Sequence, residues 1–132
     1  MKNLISLLFL CLPFLVHAQT DEKYLEGAIT LKNGKVTFST EMVTPAMTKE
    51  QIYETILDWA NKRFQPTEKM NARILFQNPE EGSIAIGGEE YLVFSNSALA
   101  LDRTRIYYQM KITCEYGKSN IEMSRIRYWY DE

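Results

Sequence analysis

The side chains best placed to do chemistry are Arg103, Arg105, Tyr107, Arg125, Arg127 and Trp129. Guanidinium forks grip carboxylates and phosphates, and they stack on aromatic rings. Such a set suits binding of an acidic glycan, a phosphate-bearing ligand or a partner protein. It suits at least as well a solvated sheet face, with arginines stacked on Tyr107 and Trp129 and paired to Asp102, Glu89 or Glu90. The chemistry in either case is recognition.

Covalent and metal chemistry have little to work with. The chain has one histidine, His17, and two cysteines, Cys11 and Cys114. The first eighteen residues read as a secretory signal peptide: Lys2 supplies the positive start, Leu4 to Val16 the apolar run, and Val16-His17-Ala18 the small-residue cleavage pattern before Gln19. The run is too short and wrongly flanked to span a bilayer. Cys11 lies in mid-run, which favours soluble export over lipidation. Cleavage removes His17 and Cys11, so Ser-His-Asp and Cys-His arrangements and nitrogen–sulfur zinc sites are excluded from the mature chain. Cys114 lies at period two with Ile112, Met110 and Tyr108, which fits a buried, inert thiol. Glu89-Glu90 are neighbours in a strand pattern and point to opposite faces, while Glu80-Glu81 lie in a turn; neither makes a converging acid pair. Gly87-Gly88 is followed by strand, which is the wrong setting for a phosphate loop. The expectation is a non-enzyme with no cofactor and no metal.

About 114 residues remain as one domain, large enough to build its own core. Fourteen basic and seventeen acidic side chains remain, so the mature charge is slightly negative and nucleic acid is a poor partner.

The elements that position these side chains can be read along the chain. Asn33-Gly34 between Ile29, Leu31 and Val36, Phe38 predicts a hairpin pairing Leu31 with Val36 and Ile29 with Phe38, the second strand running on toward Thr44. Thr48 and Gln51 form a capping box, Met47 and Ile52 a hydrophobic staple, and an apolar stripe predicts a helix from about Lys49 to Gln65, stopped by Pro66. Strands follow at 72–77, 83–86 and 91–94, with a bulge at Gly87-Gly88 and a loop or a short turn over Ser95 to Asp102. A closing hairpin, Arg103 to Glu115 and Asn120 to Tyr130, turns at Gly117-Lys118, so that Ile112 faces Met123 and Cys114 faces Ile121. Continued unbroken, that register drives Arg125 and Arg127 into the core. A bulge near Ser124-Arg125 repairs it, turning Ile126, Tyr128 and Tyr130 inward and Arg125, Arg127 and Trp129 out beside Arg103, Arg105 and Tyr107.

Blocks across the mature chain, among them Met47 to Tyr53, Trp59 to Phe64, Gly88 to Phe94, Leu101 to Ile106 and Ser124 to Tyr130, resemble the exported bacterial family known as domain of unknown function 4468. The resemblance implies an α+β, TBP-like fold: a single antiparallel sheet of about five to six strands with one main helix on one face, in the order β-α-β-β-β-β. It implies export by Gram-negative bacteria and no activity. Such folds normally close with a further helix, and here that helix is expected to be missing. One helix of about 16 residues, roughly 24 Å long, on a sheet roughly 24 Å wide leaves part of a face bare. Phe94, Ile126 and Tyr128 are the candidates for that apolar strip.

The reading is an exported binding module of the periplasm or cell surface, using the arginine–aromatic face or the apolar groove for an acidic small ligand, a glycan or an envelope protein. The alternative is a structural subunit of an envelope complex that docks through its sheet, and an enzyme is a distant third.

Overall fold

Asn33 and Gly34 adopt φ of 54° and 73°, the left-handed pair that a tight hairpin turn needs. They join β1 (Leu31–Lys32) to β2 (Lys35–Val36), with Leu31 opposite Val36 as expected. The ribbon stops there. Phe38 does not pair with Ile29; β3 (Phe38–Val43) leaves the hairpin to run antiparallel to the last strand, Phe38 opposite Met123. Ile29, Leu31, Val36 and Phe38 consequently share no buried face and all stay exposed. This computed structural model describes residues 27–97 and 100–129. The expected signal peptide and Tyr130 lie outside the described residues.

The helix α1 (Lys49–Arg63) forms where its caps dictate. The Thr48 hydroxyl accepts from the Gln51 amide at 3.2 Å, and the Gln51 side chain accepts from the Thr48 amide at 2.9 Å. It ends two residues earlier than the sequence suggests, with Phe64 as C-cap ahead of Pro66. Ile52, Tyr53, Ala60 and Phe64 go into the core, each large side chain contributing about 1.5–3 kcal/mol by leaving water. Lys49 donates to the Glu80 carbonyl at 2.8 Å, tying the start of the helix to a turn of the sheet.

Four more strands follow: β4 (Arg73–Asn78), β5 (Ser83–Ser97), β6 (Ala100–Glu115) and β7 (Lys118–Trp129). With β3 they make a five-stranded antiparallel sheet in the order β3-β7-β6-β5-β4. The helix lies on one face, over Ile84, Ile86, Tyr108, Ile112 and Cys114. The α+β architecture read from sequence therefore holds, with the β1–β2 ribbon as an addition.

Three local expectations are corrected. The closing turn is Tyr116-Gly117, not Gly117-Lys118: Glu115 pairs with Lys118, so Ile112 faces Ile121 and Cys114 faces Ser119. Gly117, at φ 74°, takes the second turn position, where left-handed backbone is required. The slip is by two residues, so every side chain keeps its face. Most of Ser95 to Asp102 is strand rather than loop, since β5 and β6 pair out to Ser97 and Ala100. Gly87-Gly88 is not a bulge either. Gly88 pairs directly with Tyr108, whose ring fills the space above it. The real irregularities fall between Ile74 and Phe76, between Val93 and Ser95, and between Tyr107 and Gln109.

Candidate functional site

The last irregularity builds the candidate site. Gln109 pairs with Ser124 and Tyr107 with Arg127, so Tyr108 stands opposite two residues, Arg125 and Ile126. This is the expected bulge, and Arg125 sits in it at φ 54°. On the helix side it lets Ile126 pack against the core. On the other side, Tyr107 stands opposite Arg127 and Arg105 opposite Trp129. Arg103, two residues before Arg105, shares that outer face. All six predicted side chains thus belong to the face turned away from the helix or to the bulge at its edge.

They are not equivalent. The Arg103 guanidinium lies 4.0 Å from the centre of the Tyr91 ring, and that of Arg105 lies 5.6 Å from it. Arg105 also donates to the Tyr91 hydroxyl at 3.2 Å and pairs with Glu89 at 3.5 Å. The hydrogen bonds to tyrosine, Tyr91 first, raise its pKa above the usual guanidinium value. Glu89 in turn accepts the Asn71 amide at 2.9 Å. Arg103 and Arg105 are therefore engaged by their own sheet, mainly through Tyr91, a partner that the sequence pattern does not single out.

Arg125 and Arg127 are freer. Arg127 lies 5.5 Å from the centre of the Tyr107 ring, the stacking expected from sequence. Among the described residues neither guanidinium has a carboxylate within 4 Å. Both line a concavity of about 360 Å³ with Arg73, Leu75, Gly87 and Tyr107. Both also line a second one, of about 740 Å³, with Lys35 and Val36. Arg73 and Lys35 are functional candidates that sequence reasoning missed. They lie far along the chain, and only strand order brings them near.

Glu89 and Glu90 point to opposite faces, as neighbours in a strand must. Glu90 lies on the helix side, accepting from the Tyr108 hydroxyl at 2.6 Å and from Arg63 at 2.9 Å. No group of three or more His, Cys, Asp or Glu able to hold a metal is present among the described residues. None of the described helices is long and apolar enough to cross a membrane.

The apolar strip is only partly as expected. Phe94 and Tyr128 are 55% and 57% exposed, and Leu92 is exposed too, whereas Ile126 is half-buried against the core.

Cys114 is buried, and its amide donates to the Gly82 carbonyl at 2.8 Å. Burial raises its thiol pKa above the ordinary 9.0. The thiol is expected to resist a disulfide reagent at pH 8 in the native protein and to react within seconds in denaturant. Native labelling at the denatured rate would place it at the surface.

The family model described as domain of unknown function (DUF4468) with TBP-like fold matches residues 38–129. Two solved structures are similar. A DUF4468 family protein from Bacteroides ovatus ATCC 8483 is 43% identical with a TM-score of 0.76, the match covering 85% of this chain and 66% of that one. A TBP-like protein from Parabacteroides distasonis ATCC 8503 is 30% identical with a TM-score of 0.67, covering 78% and 62%. The chain thus spans a little under two thirds of the length of each. No curated protein matches it.

Proposed function

The chain belongs to the DUF4468 family of domains with a TBP-like fold, and from that premise we propose that it is an exported, non-catalytic binding module that takes an acidic ligand on the outer face of its sheet. The observation that carries the reading is the state of the arginines there. Arg103 and Arg105 are held by Tyr91 and Glu89. Arg125 and Arg127, beside an exposed Trp129, face open concavities with no carboxylate of their own among the described residues. Uncompensated guanidinium groups at a concave surface raise the local concentration of anions and hold them by paired hydrogen bonds. The periplasm or the cell surface is the setting that the leader pattern suggests.

Reversing two charges tests this. Arg125→Glu with Arg127→Glu is expected to weaken binding to immobilised polyglutamate tenfold or more, about 1.4 kcal/mol, and to abolish its salt dependence. Retention unchanged by the double reversal would remove the outer face from the function.

A second reading has one observation in its favour. Pairing of β3 with β7 stops at Phe38–Met123, while β7 continues to Trp129, so among the described residues no strand pairs with 124–129 on that side, although Lys35 and Val36 lie nearby. An envelope subunit could dock there by strand addition. The bulge and Arg125 blunt that edge, which is how sheets discourage such pairing, so the acidic-ligand reading is preferred.

A further inference from the structure

Arg125 is one of three non-glycine residues at positive φ among the described residues, with Asn33 and Ala46, and the only charged one of the three. It occupies the left-handed position of the bulge opposite Tyr108, a place that glycine fills without strain. An arginine kept there points to a use for its side chain. That side chain, with Arg127 and Arg73, lines the 360 Å³ concavity over Gly87. Arg73 has only the Asn71 amide oxygen, at 3.3 Å, as a side-chain partner among the described residues.

The same concavity is lined by Glu89 and Gln109. Glu89, paired with Arg105, puts carboxylate oxygens on the middle of the wall, while Arg125 and Arg127 from β7 and Arg73 from β4 place guanidinium groups at its two ends. A ligand that is anionic throughout can engage the arginines but offers no hydroxyl donors to these oxygens. A ligand with one carboxylate and a hydroxylated body fits well: the acid goes to the arginines, and its hydroxyls donate to Glu89 and exchange hydrogen bonds with Gln109. The volume lies at the small-molecule end of the usual range for binding sites, about 300–1,000 Å³.

We infer that this concavity binds a singly charged sugar acid, of one or two sugar units, through Arg73, Arg125 and Arg127. The inference rests on the acidic-ligand reading above and narrows it to one chemical class. It assigns Arg73 a role that the sequence pattern does not suggest, and it explains why Arg125 is not glycine.

Calorimetric titration tests it with lactobionate, a disaccharide acid with one carboxylate, its neutral counterpart lactitol, and polyglutamate. Lactobionate is expected to bind saturably, and lactitol at least tenfold more weakly. Arg125→Gly and Arg127→Gln should each weaken lactobionate at least tenfold, whereas Lys111→Gln, elsewhere on the same face, should leave it unchanged. Arg125→Gly should also keep or raise the melting temperature, which separates lost binding from lost folding. Absence of saturable lactobionate binding, equal binding of lactitol, or indifference to Arg125→Gly overturns the inference. If polyglutamate binds and is released by Arg125→Gly while lactobionate fails, the sugar-acid assignment falls and the broader reading stands. If neither acidic probe binds, both fall.

Discussion

Gly88→Ala is expected to destabilise the domain by about 3 kcal/mol, a fall in melting temperature of roughly 10–20 °C. A methyl group on Gly88 would run into Cζ and Cε2 of the Tyr108 ring. The ring cannot swing away cheaply. It is buried, and its hydroxyl donates to Glu90, which also holds Arg63 at the end of the helix. An aromatic side chain laid across a glycine on the neighbouring strand is a known way to pin register, and here it ties β5 to β6 under α1. Tyr108→Ala alone should also cost about 3–5 kcal/mol by emptying the space. The double change should cost clearly less than the two single losses together, because the clash exists only when both side chains are present. Urea or thermal denaturation of the three variants measures this. An unchanged midpoint for Gly88→Ala would show that the ring does not lie over the glycine.

The second large loss is expected at Ile112→Ala, about 3 kcal/mol. Ile112 is 1% exposed and stands between Ile84 on β5 and Ile121 on β7, in the row that the helix covers. Truncation leaves a cavity between two strands whose spacing is fixed by their hydrogen bonds, so the neighbours cannot close in. Val43→Ala, on the edge strand and 64% exposed, should lie near zero. Equal effects at the two positions would contradict the assignment of the core to the helix-covered face.

These residues also show how far the sequence could be read. The helix was legible because Thr48, Gln51, Met47 and Ile52 carry local signals that need no knowledge of the rest of the fold. The bulge at Arg125 was legible for a different reason. Two apolar patterns in one strand, before and after Ser124, cannot be satisfied by one unbroken register. The turn position was misread by one residue, since Gly117 fits either turn site, yet the parity of the pairing kept each side chain on its face. The Gly88–Tyr108 contact could not be read. It depends on the pairing of β5 with β6, and the connecting sequence Ser97-Ala98-Leu99-Ala100 carries no glycine, proline or asparagine to announce a hairpin.

The candidate face was legible as a set but not in its division of labour. Arg103 and Arg105 look like Arg125 and Arg127 in a list of residues. What separates them is Tyr91, placed opposite Arg105 by the β5–β6 register, and Glu89, whose carboxylate takes the Arg105 charge. Arg73 stays hidden for the same reason, because it reaches the site only as the partner of Gly87 at the far side of the sheet.

The central claim is that the outer face binds an acidic ligand through its unengaged arginines. The most direct measurement is an NMR titration following backbone amides and arginine side-chain N–H groups as lactobionate, and separately polyglutamate, is added. The account predicts shifts at Gly87, Tyr107, Arg125 and Arg127, with the Arg103 side chain and the helix nearly silent. Shifts confined to Leu92 and Tyr128 on the helix side, or none with either probe, would contradict it.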